Sequence, residues 1–102
     1  MTTLHTVNKS PFSSQSLGSC LEHTSEGDAI LMIEDGVYGA TSGTSISAKV
    51  EAAAQKVAVY VLGPDLEARG IAATRLAMGV TVKDYAGFVE LAAEHNVTNA
   101  WL

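Results

Sequence analysis

The chain has 102 residues, of which 47% are hydrophobic and 17% are charged, and its formal net charge is −5. This length suits one core and is too short for two, so we expect a single domain over residues 1–102. Because a negatively charged domain repels phosphate backbones, we expect no direct binding of nucleic acid. The low charged fraction is typical of elements buried on two faces, or of a subunit with a large interface.

Cys20 is the only cysteine, so no internal disulfide can form. The N-terminal segment contains polar and charged side chains and a proline rather than the apolar run of a signal peptide. No apolar run approaches the roughly 20 residues that a membrane helix needs. We therefore expect a cytoplasmic protein without a membrane partner.

The N-terminal part of the sequence predicts a strand followed by a helix. Residues 4–7 form a short apolar strand candidate, and the polar residues before Pro11 predict a turn. A serine then caps a helix that carries Leu17 and Leu21 on one side. The three candidate caps are Ser13, Ser14 and Ser16.

Gly27 and Asp28 are expected to end this helix before a second strand at 29–33. That strand is a continuous apolar run, which is typical of parallel strands covered on both faces. Glu34 and Asp35 follow it, but adjacent residues on an extended chain point to opposite faces and do not converge as an acid and base. We expect them to solvate a turn that leads into a flexible loop.

The C-terminal half predicts alternating helices and strands. A helix at 47–55 precedes a strand at 56–62, and a short helix after the turn at Pro64 ends at Gly70. A fourth strand at 79–82 and a last strand at 97–102 lie on either side of another helix. That last helix begins after the cap Asp84 and ends at His95 and Asn96.

This alternation predicts an α/β fold, namely a three-layer α/β/α sandwich with a mostly parallel sheet of about five strands, in a flavodoxin-like arrangement. A phosphate cradle would require glycines or free backbone donors after the first strand, and residues 8–12 contain no glycine. Only Cys20 and His23 have a spacing at which they could share a metal, and two ligands do not make a site. We expect neither a cofactor nor a metal.

Cys20 is the remaining candidate for chemistry. A thiol reacts as the thiolate, and His23, three residues later, can lie on the same helix surface and favour that form. Against this, Cys20 lies about two turns into the predicted helix, where the helix dipole has little effect. The alternative is that Cys20 is a small buried apolar side chain.

Five short blocks in this order resemble the DsrH/TusB family. They are LHTVNKSPF at 4–12, EDGVY at 34–38, YVLGPDLEARG at 60–70, DYAGFV at 84–89 and AWL at 100–102. The resemblance extends from end to end of the chain. It implies a DsrE-like fold, a cytoplasmic location and assembly with DsrE-like and DsrF-like subunits into a heterohexameric sulfur-relay complex.

Within the family, DsrH-type chains carry a single cysteine on the first helix, and Cys20 matches that position. The resemblance therefore favours sulfur oxidation, in which persulfide sulfur passes between protein cysteines toward a DsrC-like acceptor, with Cys20 as candidate catalytic sulfur carrier. The family's main sulfur-carrying cysteine usually belongs to the DsrE-like partner, so the resemblance leaves open whether this subunit is itself an enzyme. Two alternatives remain: a TusB-like role in 2-thiolation of a tRNA wobble uridine, and a noncatalytic scaffold subunit.

Overall fold

The structure, a computed structural model, describes all residues 1–102 and is built on one parallel sheet. Its five strands are β1 (Thr3–Val7), β2 (Ala29–Met32), β3 (Ala58–Leu62), β4 (Val80–Lys83) and β5 (Val97–Trp101). They lie in the order β4-β3-β2-β1-β5, and every neighbouring pair is parallel. The sequence-based prediction of a flavodoxin-like α/β sandwich with a five-stranded parallel sheet is confirmed.

Four α-helices connect the strands: α1 (Ser16–His23), α2 (Ser47–Ala54), α3 (Gly63–Ala68) and α4 (Tyr85–Glu94). Two 3-10 helices lie at Glu34–Ala40 and Ala73–Arg75. None of the helices combines the length and the apolar content that a membrane crossing requires.

The predicted helix caps were right for α4 and wrong for α1. Asp84 caps α4, since its Oδ1 accepts a hydrogen bond from the N–H of Gly87 at 2.7 Å. The residue before α1 is Gln15, whose side chain makes no capping bond. The hydroxyl of Ser14 accepts a hydrogen bond from the N–H of Ser16 at 3.2 Å, so the polar serines form a local turn there instead.

The strand order explains how the helices are distributed over the two faces of the sheet. The chain steps from β1 to β4 in one direction, and right-handed crossovers place α1, α2 and α3 on the same face. It then returns across the other face through α4, which brings β5 beside β1. Leu17, Val50 and Leu66 from the first three helices belong to a cluster of 13 buried residues, whereas Leu91 of α4 belongs to a cluster of four.

The segment after β2 differs from its prediction. We expected a solvated turn and a flexible loop, but Glu34–Ala40 is a 3-10 helix whose Val37 and Ala40 are fully buried. Gly36 makes this possible, because a Cβ there would overlap the carbonyl oxygen of Val7 at the end of β1. The 3-10 helix therefore packs directly against the carboxyl end of β1, the strand at which the sheet order reverses and where ligands of open sheets commonly bind.

Candidate functional site

The α1 helix places Cys20 in the core of the protein. Cys20 lies three residues after Leu17, so both side chains point toward the sheet, and the thiol has 0% of its surface exposed. It belongs to the larger buried cluster, together with Val7 and Ile30 of the adjacent strands. In this conformation no solvent or partner molecule reaches the sulfur atom.

The surroundings of Cys20 also keep the thiol protonated. Burial is the larger cause of a raised pKa, and the nearby negative charge of Asp28 is the smaller one. Together they raise the pKa of Cys20 from 9.0 to about 12. Reactive cysteines have the opposite surroundings, with a cation, an imidazolium or a helix N-terminus that stabilises the thiolate. At neutral pH, Cys20 is therefore almost entirely in the unreactive thiol form.

His23 does not form the Cys/His pair that its spacing suggested. Its Nδ1 donates a hydrogen bond to the backbone carbonyl of Ser19 at 2.6 Å. Its ring lies against the indole of Trp101, with 5.7 Å between the ring centroids. The side chain is exposed at the C-terminal end of α1, whereas Cys20 points into the core. His23 therefore contacts the end of β5 rather than the thiol.

A polar network lies beside Cys20, buried between α1 and the sheet. Nε2 of His5 lies 3.0 Å from Oδ2 of Asp28, and the two side chains are each only 7% exposed. The indole N–H of Trp101 donates to Nδ1 of His5, also at 3.0 Å. An indole N–H can only donate, so Nδ1 is the acceptor and the proton of His5 lies on Nε2, which donates it to Asp28.

Asp28 is the anionic centre of this network. Its Oδ1 accepts a hydrogen bond from the N–H of Thr3, and its Oδ2 accepts a second from the N–H of Ser25, each at 3.0 Å. Burial alone would raise the pKa of Asp28, but the hydrogen bonds from His5, Ser25 and Thr3 outweigh burial and lower it. Asp28 is thus a stable buried carboxylate, and its charge opposes ionisation of Cys20.

The sequence-based interpretation missed this network. Asp28 was expected to help end α1, but the helix ends at His23 and Asp28 instead precedes β2, within the core. Two polar residues in apolar surroundings were the available signal: His5 within a short apolar strand, and Asp28 directly before an apolar run. Because a buried charge needs a partner, His5 and Asp28 together could have indicated a buried polar pair.

The acidic residues after β2 are held by neighbouring groups at the carboxyl end of the sheet. The N–H of Glu34 donates to Oδ2 of Asp65 at 2.6 Å, and Glu34 has a positive φ of 50°. Asp35 accepts two hydrogen bonds from the guanidinium of Arg69, at 3.0 and 2.9 Å, although its side chain is 62% exposed. The carboxylate of Asp35 is thus paired with Arg69, and the backbone of Glu34 is fixed by Asp65.

An open groove runs between α1 and α2, but it does not lead to Cys20. Gly18 and Glu22 line it from α1, and Lys49, Ala53 and Lys56 line the opposite side. Nothing lies within 4 Å of a Cβ built on Gly18, so this glycine faces open space. The thiol lies on the other side of the helix, toward the sheet.

Comparison with known proteins identifies the family. The family model described as "DsrH like protein" matches residues 9–98. Protein TusB of Pectobacterium parmentieri is 40% identical over 98 residues, covering 96% of this chain and 99% of the relative. Protein TusB of Escherichia coli O1:K1 is 36% identical with the same coverage. The chain belongs to the DsrH/TusB family.

Two solved structures share the fold of this DsrH/TusB chain. The ychN protein from E. coli has a TM-score of 0.81 at 19% identity, covering 98% of this chain and 99% of that one. The protein of unknown function MTH1491 from Methanobacterium thermoautotrophicum has a TM-score of 0.69 at 17% identity, covering 91% and 89%. At these identities the likeness concerns the fold alone.

The sequence blocks that resemble the DsrH/TusB family build the framework of the structure. EDGVY forms most of the 3-10 helix after β2, and YVLGPDLEARG contains α3 and the Arg69 that follows it. These two blocks are joined by the ion pair between Asp35 and Arg69. AWL supplies Trp101, which closes the buried network at His5. The blocks therefore position the backbone, and none of them contains the cysteine.

Proposed function

We propose that this chain is the TusB-type subunit of a cytoplasmic sulfur-relay complex that serves 2-thiolation of a tRNA wobble uridine. In this proposal the chain positions its DsrE-like and DsrF-like partners in a heterohexamer, and the DsrE-like partner carries the sulfur. The branch is supported by the relatives named TusB, which match over nearly the whole chain. The noncatalytic role is supported by one observation, the burial of the only thiol.

The chemistry of sulfur transfer explains why this burial matters. Persulfide sulfur moves when a thiolate attacks a sulfur atom, so a carrier needs both an accessible sulfur and a sizeable thiolate fraction. Cys20 has no exposed surface, and its pKa is raised to about 12. A subunit with these properties contributes binding surface and orientation to the complex. The thiolate for each transfer then comes from its partners.

The presence of Cys20 favours a second candidate function. DsrH-type chains carry one cysteine on the first helix, and Cys20 lies on α1. The corresponding role is sulfur oxidation, with Cys20 accepting persulfide and passing it toward a DsrC-like protein. This role requires α1 to move away from the sheet in the assembled complex, because the thiol is otherwise enclosed.

Deletion and complementation in the source organism test the proposal. We expect deletion of the gene to abolish 2-thiouridine in digested tRNA, measured by liquid chromatography and mass spectrometry. Complementation with the wild type or with Cys20→Ala should restore it fully. Alanine is the better variant, because serine would place a hydroxyl without a partner in an apolar core. Copurification of Cys20→Ala with its partner subunits is the control for assembly.

Two results would contradict this proposal. If the deletion strain keeps its 2-thiouridine but loses growth on reduced sulfur compounds, the tRNA role is wrong and sulfur oxidation replaces it. If Cys20→Ala assembles normally but restores neither phenotype, Cys20 is a carrier. In that case mass spectrometry of the wild-type complex should find added sulfur on Cys20 after incubation with a persulfide donor.

A further inference from the structure

We propose that His5 is a proton-controlled latch for the C-terminal strand: it holds Trp101 when its ring is neutral and releases Trp101 when Nδ1 binds a proton. We call His5, Asp28 and Trp101 the C-terminal latch. The proposal concerns this chain alone and is independent of the sulfur-relay function. It rests on the direction of two hydrogen bonds within a buried network.

The two hydrogen bonds of His5 leave its ring with one arrangement of protons. Trp101 can only donate, so Nδ1 must be unprotonated, and Asp28 accepts from Nε2. A proton added at Nδ1 turns the acceptor into a donor that faces the donor N–H of Trp101. The hydrogen bond at 3.0 Å is then replaced by the juxtaposition of two donors.

Asp28 determines which partner is lost on protonation. It keeps its negative charge, since three donors stabilise the carboxylate, and it pairs with the imidazolium more strongly than with the neutral ring. His5 therefore stays against Asp28. The group that loses its partner is the indole N–H. Protonation of His5 therefore weakens the attachment of Trp101 and of the strand β5 that carries it.

The strand β5 is the element of the sheet best placed to respond. It is an edge strand that pairs only with β1, and all its residues except Trp101 are exposed. Its N-terminal end is held by hydrogen bonds from Asn96 and Val97 to the carbonyl of Thr2. Beyond the ladder, its C-terminal end is held by Trp101 and by the hydroxyl of Ser16, which donates to the carbonyl of Leu102 at 3.1 Å.

Other ionisable groups face the latch from each element packed around it. Helix α1 contributes Cys20 and His23, and within the latch the turn before β2 contributes Asp28. The raised pKa of Cys20 and the lowered pKa of Asp28 keep both groups from titrating between about pH 5 and 8, the range in which imidazoles change charge. His23 also packs against the indole and requires its own control.

Trp101 is the only tryptophan, so its fluorescence reports on the latch directly. In the full chain we expect the emission to shift to longer wavelength in a one-proton transition as the pH falls from 8 to 5. The transition should persist in His23→Gln and disappear in His5→Gln, whose amide can donate to Asp28 but cannot titrate. Far-UV circular dichroism of the same samples should stay constant, which separates release of the strand from unfolding.

Hydrogen–deuterium exchange supplies a second measurement that does not depend on folding of the His5 variant. After correction for intrinsic rates, we expect the amides of β5 to lose about fivefold to tenfold protection between pH 8 and 5, a factor that matches the net worth of one hydrogen bond. Trp101→Phe removes the indole N–H donor together with part of the aromatic ring, and it should show low protection that does not change between the two pH values. The proposal is wrong if wild-type protection and emission do not change with pH, if His5→Gln keeps the transition, or if His23→Gln loses it.

Discussion

The two faces of the sheet differ in how completely the chain covers them. Three helices and a 3-10 helix cover the face under α1, where 13 buried residues form one cluster. Only α4 crosses the opposite face, where four buried residues form the cluster around Leu91. The thickly covered face also encloses Cys20 and the C-terminal latch. The difference shows that the His5–Asp28 network and the Cys20 thiol lie where water is best excluded, which stabilises the hydrogen-bonded network and suppresses thiol reactivity.

The thinly covered face carries apolar side chains that the chain itself does not bury. Tyr85 and Val89 are four residues apart on α4 and are 60% and 69% exposed. Leu91 of the same helix is only 4% exposed, so one side of α4 packs on the sheet and another faces outward with apolar groups. If coverage by helices determines stability, substitutions on the thickly covered face should lower the free energy of unfolding more than those on the thin face.

Truncation of a core residue on each face should give the largest effect. Ile30→Ala empties a fully buried position in the larger cluster and should lower the free energy of unfolding by about 4 kcal/mol. Leu91→Ala on the thin face should cost about 2 kcal/mol, because neighbouring groups and solvent can fill the space more easily. Urea denaturation measures both values. Equal losses would contradict the comparison of the two faces.

Neutralisation of the buried carboxylate should come next. Asp28→Asn removes the charge that accepts hydrogen bonds from His5, Ser25 and Thr3, and should cost about 2–3 kcal/mol at pH 7. Because the pKa of Asp28 is lower in the folded chain than its ordinary value of 3.8, its charge stabilises the fold above about pH 4. That stabilisation is lost as the pH falls further. The difference in unfolding free energy between the wild type and the variant should therefore shrink in urea denaturation as the pH falls below 4.

The buried thiol predicts a loss of stability at alkaline pH. The pKa of Cys20 is raised from 9.0 to about 12, so an unfolded chain releases this proton at a lower pH than the folded one. The stability of the wild type relative to Cys20→Ala should be constant below pH 9. Above it, the difference should fall by about 1.4 kcal/mol per pH unit until the folded thiol ionises. A constant difference up to pH 11 would show that the thiol is exposed.

Polar substitution on the outer side of α4 should have the smallest effect on the isolated chain. Val89→Ser should change the free energy of unfolding by less than about 0.5 kcal/mol, because the side chain is 69% exposed. If the proposed complex covers this face, the same variant should copurify poorly with its partner subunits, whereas Glu90→Ser on the same helix should behave as the wild type. Retention of all partners by Val89→Ser would exclude this side of α4 from the interface.

Much of the fold could be predicted because its signals are local. The apolar run at β2 indicated a strand buried on both faces, and its observed bounds are Ala29–Met32. Asp84 was correctly predicted as the cap of α4. The 3-10 helix after β2 was missed because its stability depends on a contact between Gly36 and the end of β1, which lies far away in the sequence. Neither the composition nor the local sequence shows that Gly36 lies close to Val7.

The sequence by itself determined the family, the alternation of strands and helices, and Cys20 as the one residue with a candidate chemistry. Only the tertiary structure decided the surroundings of that residue. By its helical spacing Cys20 could face the core with Leu17 or the surface with His23. The packing of α1 against the sheet places Cys20 in the core. The C-terminal latch joins residues that lie 23 and 96 positions apart. Such contacts arise from the order of the strands, because the return of β5 beside β1 brings Trp101 to the first strand.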